Sequence, residues 1–375
     1  MYGRETAKGF LNWLRRERLL FFLLLTFPAI WLWSETPIRE IPTLVHWDTI
    51  ATLAGLMVLS MAIQASGVVN HMARSLLLKI HSERTLAIAL CLFAGCLAAV
   101  ITNDVALFLV IPLTLVLARI CRLPVARLVL FQALSVNAGS ALSPIGNPQN
   151  IFLWQTNDVS FATFTLGMLP MALPFFIVLG MGIWLAFRSR PLSLETLSDR
   201  EEPVSRPLFW ITTVMYPLFL YAIELGYGSI STLFLMVVYT VWLRRLMLRI
   251  DWALLLLFIL MFTNCGMLTR LPEMQSLAVW LLHLPGQEIT AGVLLSQVIS
   301  NVPAALFLEP FTSDWQKLAW GVNIGGFGLA IGSLANLIAL RLARSPGLIL
   351  QFHLWSIPAL LLCWALLSLF LRISL

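Results

Sequence analysis

Two short stretches of this chain carry side chains able to hold a small ion away from water. Thr102-Asn103-Asp104 and Ser300-Asn301 each set a hydroxyl beside an amide, and an amide offers both a carbonyl acceptor and an N–H donor. Asp104 adds a carboxylate that can take up and release a proton. Downstream of the first stretch come Gly146, Asn147 and Asn150; downstream of the second come Gly332, Ser333 and Asn336. The chemistry these types support is reversible coordination of an ion or small polar solute. Bond-making chemistry is not expected: there is no His-Glu-x-x-His motif and no nucleophile–base pair. The five cysteines, at 91, 96, 121, 265 and 363, lack metal-ligand spacing and read as packing residues. The chain is therefore expected not to be an enzyme, with no cofactor and no structural metal.

The two stretches belong to one duplicated pattern. Residues 100–112 match 298–310 at five of 13 positions, and 136–150 match 322–336 at six of 15. Gly139, Pro144, Gly146 and Pro148 cannot sustain a regular helix, so the chain must break there. A break offers carbonyls to a cation at one half-helix end and N–H groups to an anion at the start of the next. Polar, glycine-rich interruptions at corresponding places in two apolar halves point to a transporter's binding site at the repeat interface. The candidate substrate- and ion-binding residues are thus Thr102, Asn103, Asp104, Gly146, Asn147, Asn150, Ser300, Asn301, Gly332, Ser333 and Asn336. Asn137 and Asn323 recur in the same register. Polar residues also glue membrane helices together, so for these two both readings stay open.

The elements that must position these residues lie in a bilayer. Apolar residues make up 59%, charged residues 11%, and mean hydropathy is +0.89, whereas soluble domains carry about 25% charge. Runs long enough to cross about 30 Å of hydrocarbon occur near 19–33, 49–69, 162–187, 207–225, 229–243, 252–270 and 350–371, with interrupted runs at 128–155 and 316–340. The net charge of +6 is not a nucleic-acid footprint. All of the 24 basic residues except Arg39, Arg270, Lys317 and Arg372 fall on segments that the positive-inside rule assigns to the cytoplasm.

The same rule makes 85–118, flanked by Arg84 and Arg119, a hairpin that enters and turns back, and parity makes 289–312 a second hairpin from the opposite side. The predicted fold is an all-α polytopic membrane protein of about nine full spans plus two re-entrant hairpins. Residues 1–45 form a cytoplasmic N-terminus and first span; 46–187 form repeat 1 (hairpin 85–118, broken helix 128–155). A cytoplasmic linker covers 188–206 and connecting spans cover 207–249. Residues 250–375 form repeat 2 (hairpin 289–312, broken helix 316–340). Five full spans separate the repeat starts, so the second is inverted. An amphipathic interfacial helix is expected at 70–82. The N-terminus is placed in the cytoplasm and the C-terminus in the periplasm.

The duplicated Ser/Thr-Asn tip followed by a Gly-x-Pro-x-Asn type break resembles the ion-transporter superfamily, which includes citrate-metal symporters, divalent-anion/sodium symporters, arsenite efflux permeases and D-type sodium/proton antiporters. The resemblance covers about 46–371. Ser143-Pro144-Ile145-Gly146-Asn147-Pro148-Gln149-Asn150 is similar to the antiporter and arsenite branches, and Asn103-Asp104 to the arsenite pumps. It implies a bacterial inner-membrane homodimer working by an elevator motion, with sodium bound in transit at the Asn103 and Asn301 tips. In the anion symporters both tips read Ser-Asn-Thr; here the third position is Asp104 in one copy and Val302 in the other. The function expected is secondary active transport of a small anion or inorganic ion, coupled to protons or sodium. A sodium/proton antiporter is the nearer alternative, and an ion channel the alternative of another class. Partners are expected to be the small ionic substrate, the bilayer and a second copy, without nucleic acid.

Overall fold

The computed structural model describes residues 18–77, 80, 82–120, 123–192, 204–343 and 347–374. The segment before Arg18 expected to be cytoplasmic, most of the expected linker, His81, Cys121 and the end of the interfacial helix expected at 70–82 lie outside these. Among the described residues the chain is helical throughout, with one isolated bridge between Ser82 and Pro191.

The first half runs α1 (Arg18–Ser34), a 3₁₀ turn (Ile38–Leu44), α2 (Trp47–Ala65), α3 (Val68–Leu77), α4 (Glu83–Val100), α5 (Asn103–Ile120), α6 (Val125–Ser140), α7 (Pro148–Thr156) and α8 (Phe161–Ala186). The expected connecting spans hold α9 (Arg206–Glu224), α10 (Gly228–Trp242) and α11 (Arg244–Met247). The second half then runs α12 (Trp252–Leu268), α13 (Pro272–Leu282), α14 (Gln287–Ile299), α15 (Asn301–Leu308), α16 (Trp315–Gly325), α17 (Leu334–Ala343) and α18 (Leu348–Ser374). Helices α2, α4, α8, α9 and α18 are each long and apolar enough to cross a bilayer. The bent pairs, α1 with its 3₁₀ turn (117°) and α12 with α13 (94°), add up to two more. The chain is an all-α polytopic membrane protein.

The halves are assembled by the same contacts. Each of α4 and α14 packs along α6 and α16 respectively, and α1 crosses to α12 as α10 crosses to α2. Small residues allow the closest approaches. A Cβ at Gly139 would overlap the carbonyl oxygen of Gly95, and one at Gly292 would come within 2.9 Å of the Gly321 backbone. Without a hydrophobic force between helices in lipid, this close packing is what holds them together.

Both tips are turns in chains that double back. Cys91, ten residues before Ile101, lies against Ser135 on α6, while Thr114, thirteen residues after it, accepts a 2.6 Å bond from Gln132 Nε2 on the same helix. Both limbs therefore run beside one stretch of α6. In the second half, Thr312 Oγ1 donates to Glu288 Oε1 at 2.9 Å, joining residues twelve positions before and after Ser300. Ser300 itself has φ +76°, a left-handed conformation uncommon for a residue with a Cβ. Pro112 stays inside α5, whereas its counterpart Pro310 sits in a 3₁₀ turn that ends the shorter limb.

Two of the basic residues on the non-cytoplasmic side of the charge assignment are ion-paired: Arg270 with Glu40 at 2.7 Å and Lys317 with Asp314 at 2.9 Å.

Candidate substrate and ion site

Each break lies where the sequence removes helix-forming capacity. Residues 141–147 separate α6 from α7, and 326–333 separate α16 from α17. Asn147 caps α7, its Oδ1 accepting the Asn150 N–H at 2.9 Å, with Pro148 at the first helical position, where a missing N–H costs nothing.

The breaks are stitched across the repeats. Asn137 Nδ2 donates to Asn336 Oδ1 at 2.7 Å and to the Gly326 carbonyl at 3.2 Å, and Asn137 Oδ1 accepts from Ser333 Oγ at 3.1 Å. The counterpart Asn323 donates to Asn150 Oδ1 at 2.7 Å and accepts from Asn147 Nδ2 at 2.9 Å. Asn336 Nδ2 also donates to the Gly326 carbonyl, at 2.8 Å. Asn150 Nδ2 meets the carbonyls of Ser140, Ala141 and Ser143. These asparagines and Ser333 are buried. Asn137, Asn147, Asn150, Asn323, Ser333 and Asn336 thus form one interlocked floor whose amides are largely engaged with one another.

The tips reach the floor from either side. The Asn103 N–H donates to the Gly146 carbonyl at 2.8 Å, and Gly326 lies against the Asn301 amide. Asn103 Oδ1 accepts the Asp104 N–H at 2.9 Å, a bond to its neighbour's backbone rather than an N-terminal cap two or three residues on. Ser300 supplies no side-chain cap to α15. Thr102, Asn103, Asp104, Ser300 and Asn301 are all buried. Among the described residues no side chain bonds the Asp104 carboxylate or the Thr102 hydroxyl. Gly146 and Gly332 both face neighbouring backbone: a Cβ at Gly332 would come within 2.5 Å of the Gly325 carbonyl oxygen, and one at Gly146 would overlap that of Ser140.

Sequence reasoning passed over two glutamines and a serine. Gln297 Nε2 donates to the Gly325 carbonyl at 2.7 Å and its Oε1 accepts the Leu329 N–H at 2.8 Å, so one side chain closes the second break. The Ala330 N–H there donates to His353 Nε2 at 3.0 Å, so a histidine of α18 helps to close the same break. In the first break, by contrast, Gln149 Oε1 and Ser143 Oγ are buried without a partner. Gln297 has no polar counterpart in the first repeat, so duplication could not flag it; Ser143 and Gln149 lie within the quoted motif but align with Leu329 and Ala335.

In each half, then, a helical hairpin docks on a broken helix. The profile of the citrate transporter family matches residues 11–322, and the chain belongs to that family. It is 41% identical over 360 residues to inner membrane protein YbiR of Escherichia coli (strain K12), covering 95% of each chain. An uncharacterized transporter of Methanocaldococcus jannaschii is 31% identical over 309 residues, 81% of this chain and 83% of its own. The silicon efflux transporter LSI3 of rice shares 34% identity over 131 residues, 35% of this chain and 26% of its own. The chain is a membrane transporter, not an enzyme.

Proposed function

We propose that the protein is a secondary active carrier of a small anion or inorganic ion in the inner membrane, working as a homodimer by an elevator-type motion. Its coupling ion, a proton or sodium, is held at the first hairpin tip. The observation that carries this reading is the docking of Asn103 on the Gly146 carbonyl with the unpaired Asp104 carboxylate next in line. The two breaks differ, and the difference supports distinct roles for them. Gln297 satisfies the second from within the protein. The first retains the orphan oxygens of Gln149 and Ser143, and buried polar atoms without partners call for an explanation such as an ion.

No Arg or Lys belongs to the tips or the floor. A multiply charged anion such as citrate, named in the family's description, would rely on helix N-termini and a co-bound cation. Sodium/proton exchange is the second reading, favoured by Asp104 being the one acid at either tip: protonation and cation binding would then compete for one carboxylate.

Counterflow in proteoliposomes tests the proposal, with citrate, silicic acid, arsenite and sodium as cargoes. Saturable trans-acceleration by one cargo is expected. It should fall in Asn103→Ala and, less steeply, in Asn301→Ala, with expression and dimer size unchanged. Flux without trans-acceleration would identify a channel, since an open pore exchanges no faster when loaded on the far side.

A further inference from the structure

Away from the tips, the last turn of α8 meets the first turns of α4 and α6. Arg127 Nη1 donates to the Ala186 carbonyl at 2.6 Å, and Arg84 Nε to the Phe187 carbonyl at 2.8 Å. Both guanidiniums are thereby anchored on carbonyls that a helix end leaves unsatisfied. The chain then folds back over this junction. The Glu83 N–H donates to the Arg190 carbonyl, and the Arg190 N–H to that of Arg188, each at 2.9 Å. Arg127, Arg188 and Arg190 line one cavity of about 450 Å³, in which Glu83 is the sole acid. Unlike Arg270 and Lys317, none of these arginines has a carboxylate partner among the described residues.

We infer that this cavity binds a phosphate group, namely the headgroup phosphate of an anionic phospholipid. A topology signal requires arginines on one side of the membrane but not their convergence on one cavity. Guanidinium forks match phosphate oxygens in geometry as well as charge. Basic pockets between membrane helices on the cytoplasmic side suit acidic headgroups, and the arginine distribution places this end there. The first turns of α4 and α6 add their positive dipole ends. The lipid-facing surface begins beside the cavity: Trp184 and Leu185 are 57% and 67% exposed. The Arg84 guanidinium lies over the Trp184 ring at 4.9 Å, the arrangement of an aromatic belt residue at headgroup depth.

Native mass spectrometry of the full chain, delipidated and offered phosphatidylglycerol or phosphatidylcholine, tests this. Preferential retention of phosphatidylglycerol is expected. Retention should weaken roughly thirtyfold in Arg188→Gln/Arg190→Gln, which removes two charges near the surface, and roughly fivefold in Arg127→Gln, which removes one. The control Arg244→Gln/Arg245→Gln, outside the cavity, should retain lipid like the unaltered chain. Because Arg188 and Arg190 hold their neighbours through backbone atoms, their double variant remains informative should Arg127→Gln fail to fold. Displacement by millimolar inorganic phosphate would support the phosphate site and identify the free ion as a second source. Equal retention of the two lipids, or unchanged retention in the Arg188→Gln/Arg190→Gln protein, overturns the inference. So would lipid binding that appears only after Glu195, Asp199, Glu201 and Glu202 are changed to Gln, since the linker would then be the occupant.

Discussion

Asn137 and Asn336 are joined by a 2.7 Å amide–carbonyl bond, and their repeat-related counterparts Asn323 and Asn150 by another of the same length. Both bonds run between the halves, so each broken helix is fixed by a residue of the other repeat. Interhelical side-chain bonds in membranes average about 0.6 kcal/mol and reach roughly 1.7.

Asn137→Ala removes three bonds at once and should destabilise the purified protein by about 1–2 kcal/mol. A double-mutant cycle with Asn336→Ala, read by denaturant unfolding in detergent, should return a coupling energy of at least about 0.5 kcal/mol. Additive losses would mean that the two side chains do not cooperate.

Close backbone approach yields a second prediction. Gly139→Ala places a methyl against the Gly95 carbonyl, where only a shift of α4 relative to α6 can relieve the clash. A loss of about 1–3 kcal/mol is expected from such overpacking. Gly180→Ala meets no atom within 4 Å and should unfold at the temperature of the unaltered protein. Matched unfolding temperatures for the two variants would contradict this packing.

The two-limbed form of each hairpin can be tested by labelling. Single cysteines at Ser82 and Arg122 should react with an impermeant maleimide from one side, and those at Gln287 and Ser313 from the other. The Glu288–Thr312 bond requires the second pair to stay together. Labelling of Ser82 and Arg122 from opposite faces would replace the first hairpin by a spanning helix.

The fold class was legible because a bilayer imposes simple rules: long apolar runs, few charges, basic residues gathered on one side. Duplication made the asparagines legible in the same way, since Asn137, Asn150, Asn323 and Asn336 recur at a constant spacing. Their partnerships were not legible. Nothing in a one-dimensional repeat says that Asn137 bonds to the other half rather than its own. Side chains that break the symmetry, such as Gln297 and Gln149, were hidden for the opposite reason. They have no twin, and a lone glutamine in an apolar run reads the same whether it closes a loop or faces lipid.

Asp104 is the remaining difference between the two tips. It occupies the first turn of α5, buried, at the position held by Val302 in the second repeat. Its backbone N–H is accepted by Asn103 Oδ1 at 2.9 Å, which leaves the carboxylate free of that local bond. Intramembrane carboxylates are costly and commonly serve ion or proton pathways. If Asp104 carries the coupling proton, Asp104→Asn keeps the size and the backbone bond but removes the titration. Flux at fixed membrane potential should then lose its response to an imposed pH gradient, while Val302→Asp, which restores a carboxylate at the wrong tip, should not rescue it. An Asp104→Asn carrier that still follows the pH gradient would move the coupling site elsewhere. A variant that binds cargo with unchanged affinity yet cannot be driven by the gradient would separate the proton's role from that of the floor, because only the tip has been altered.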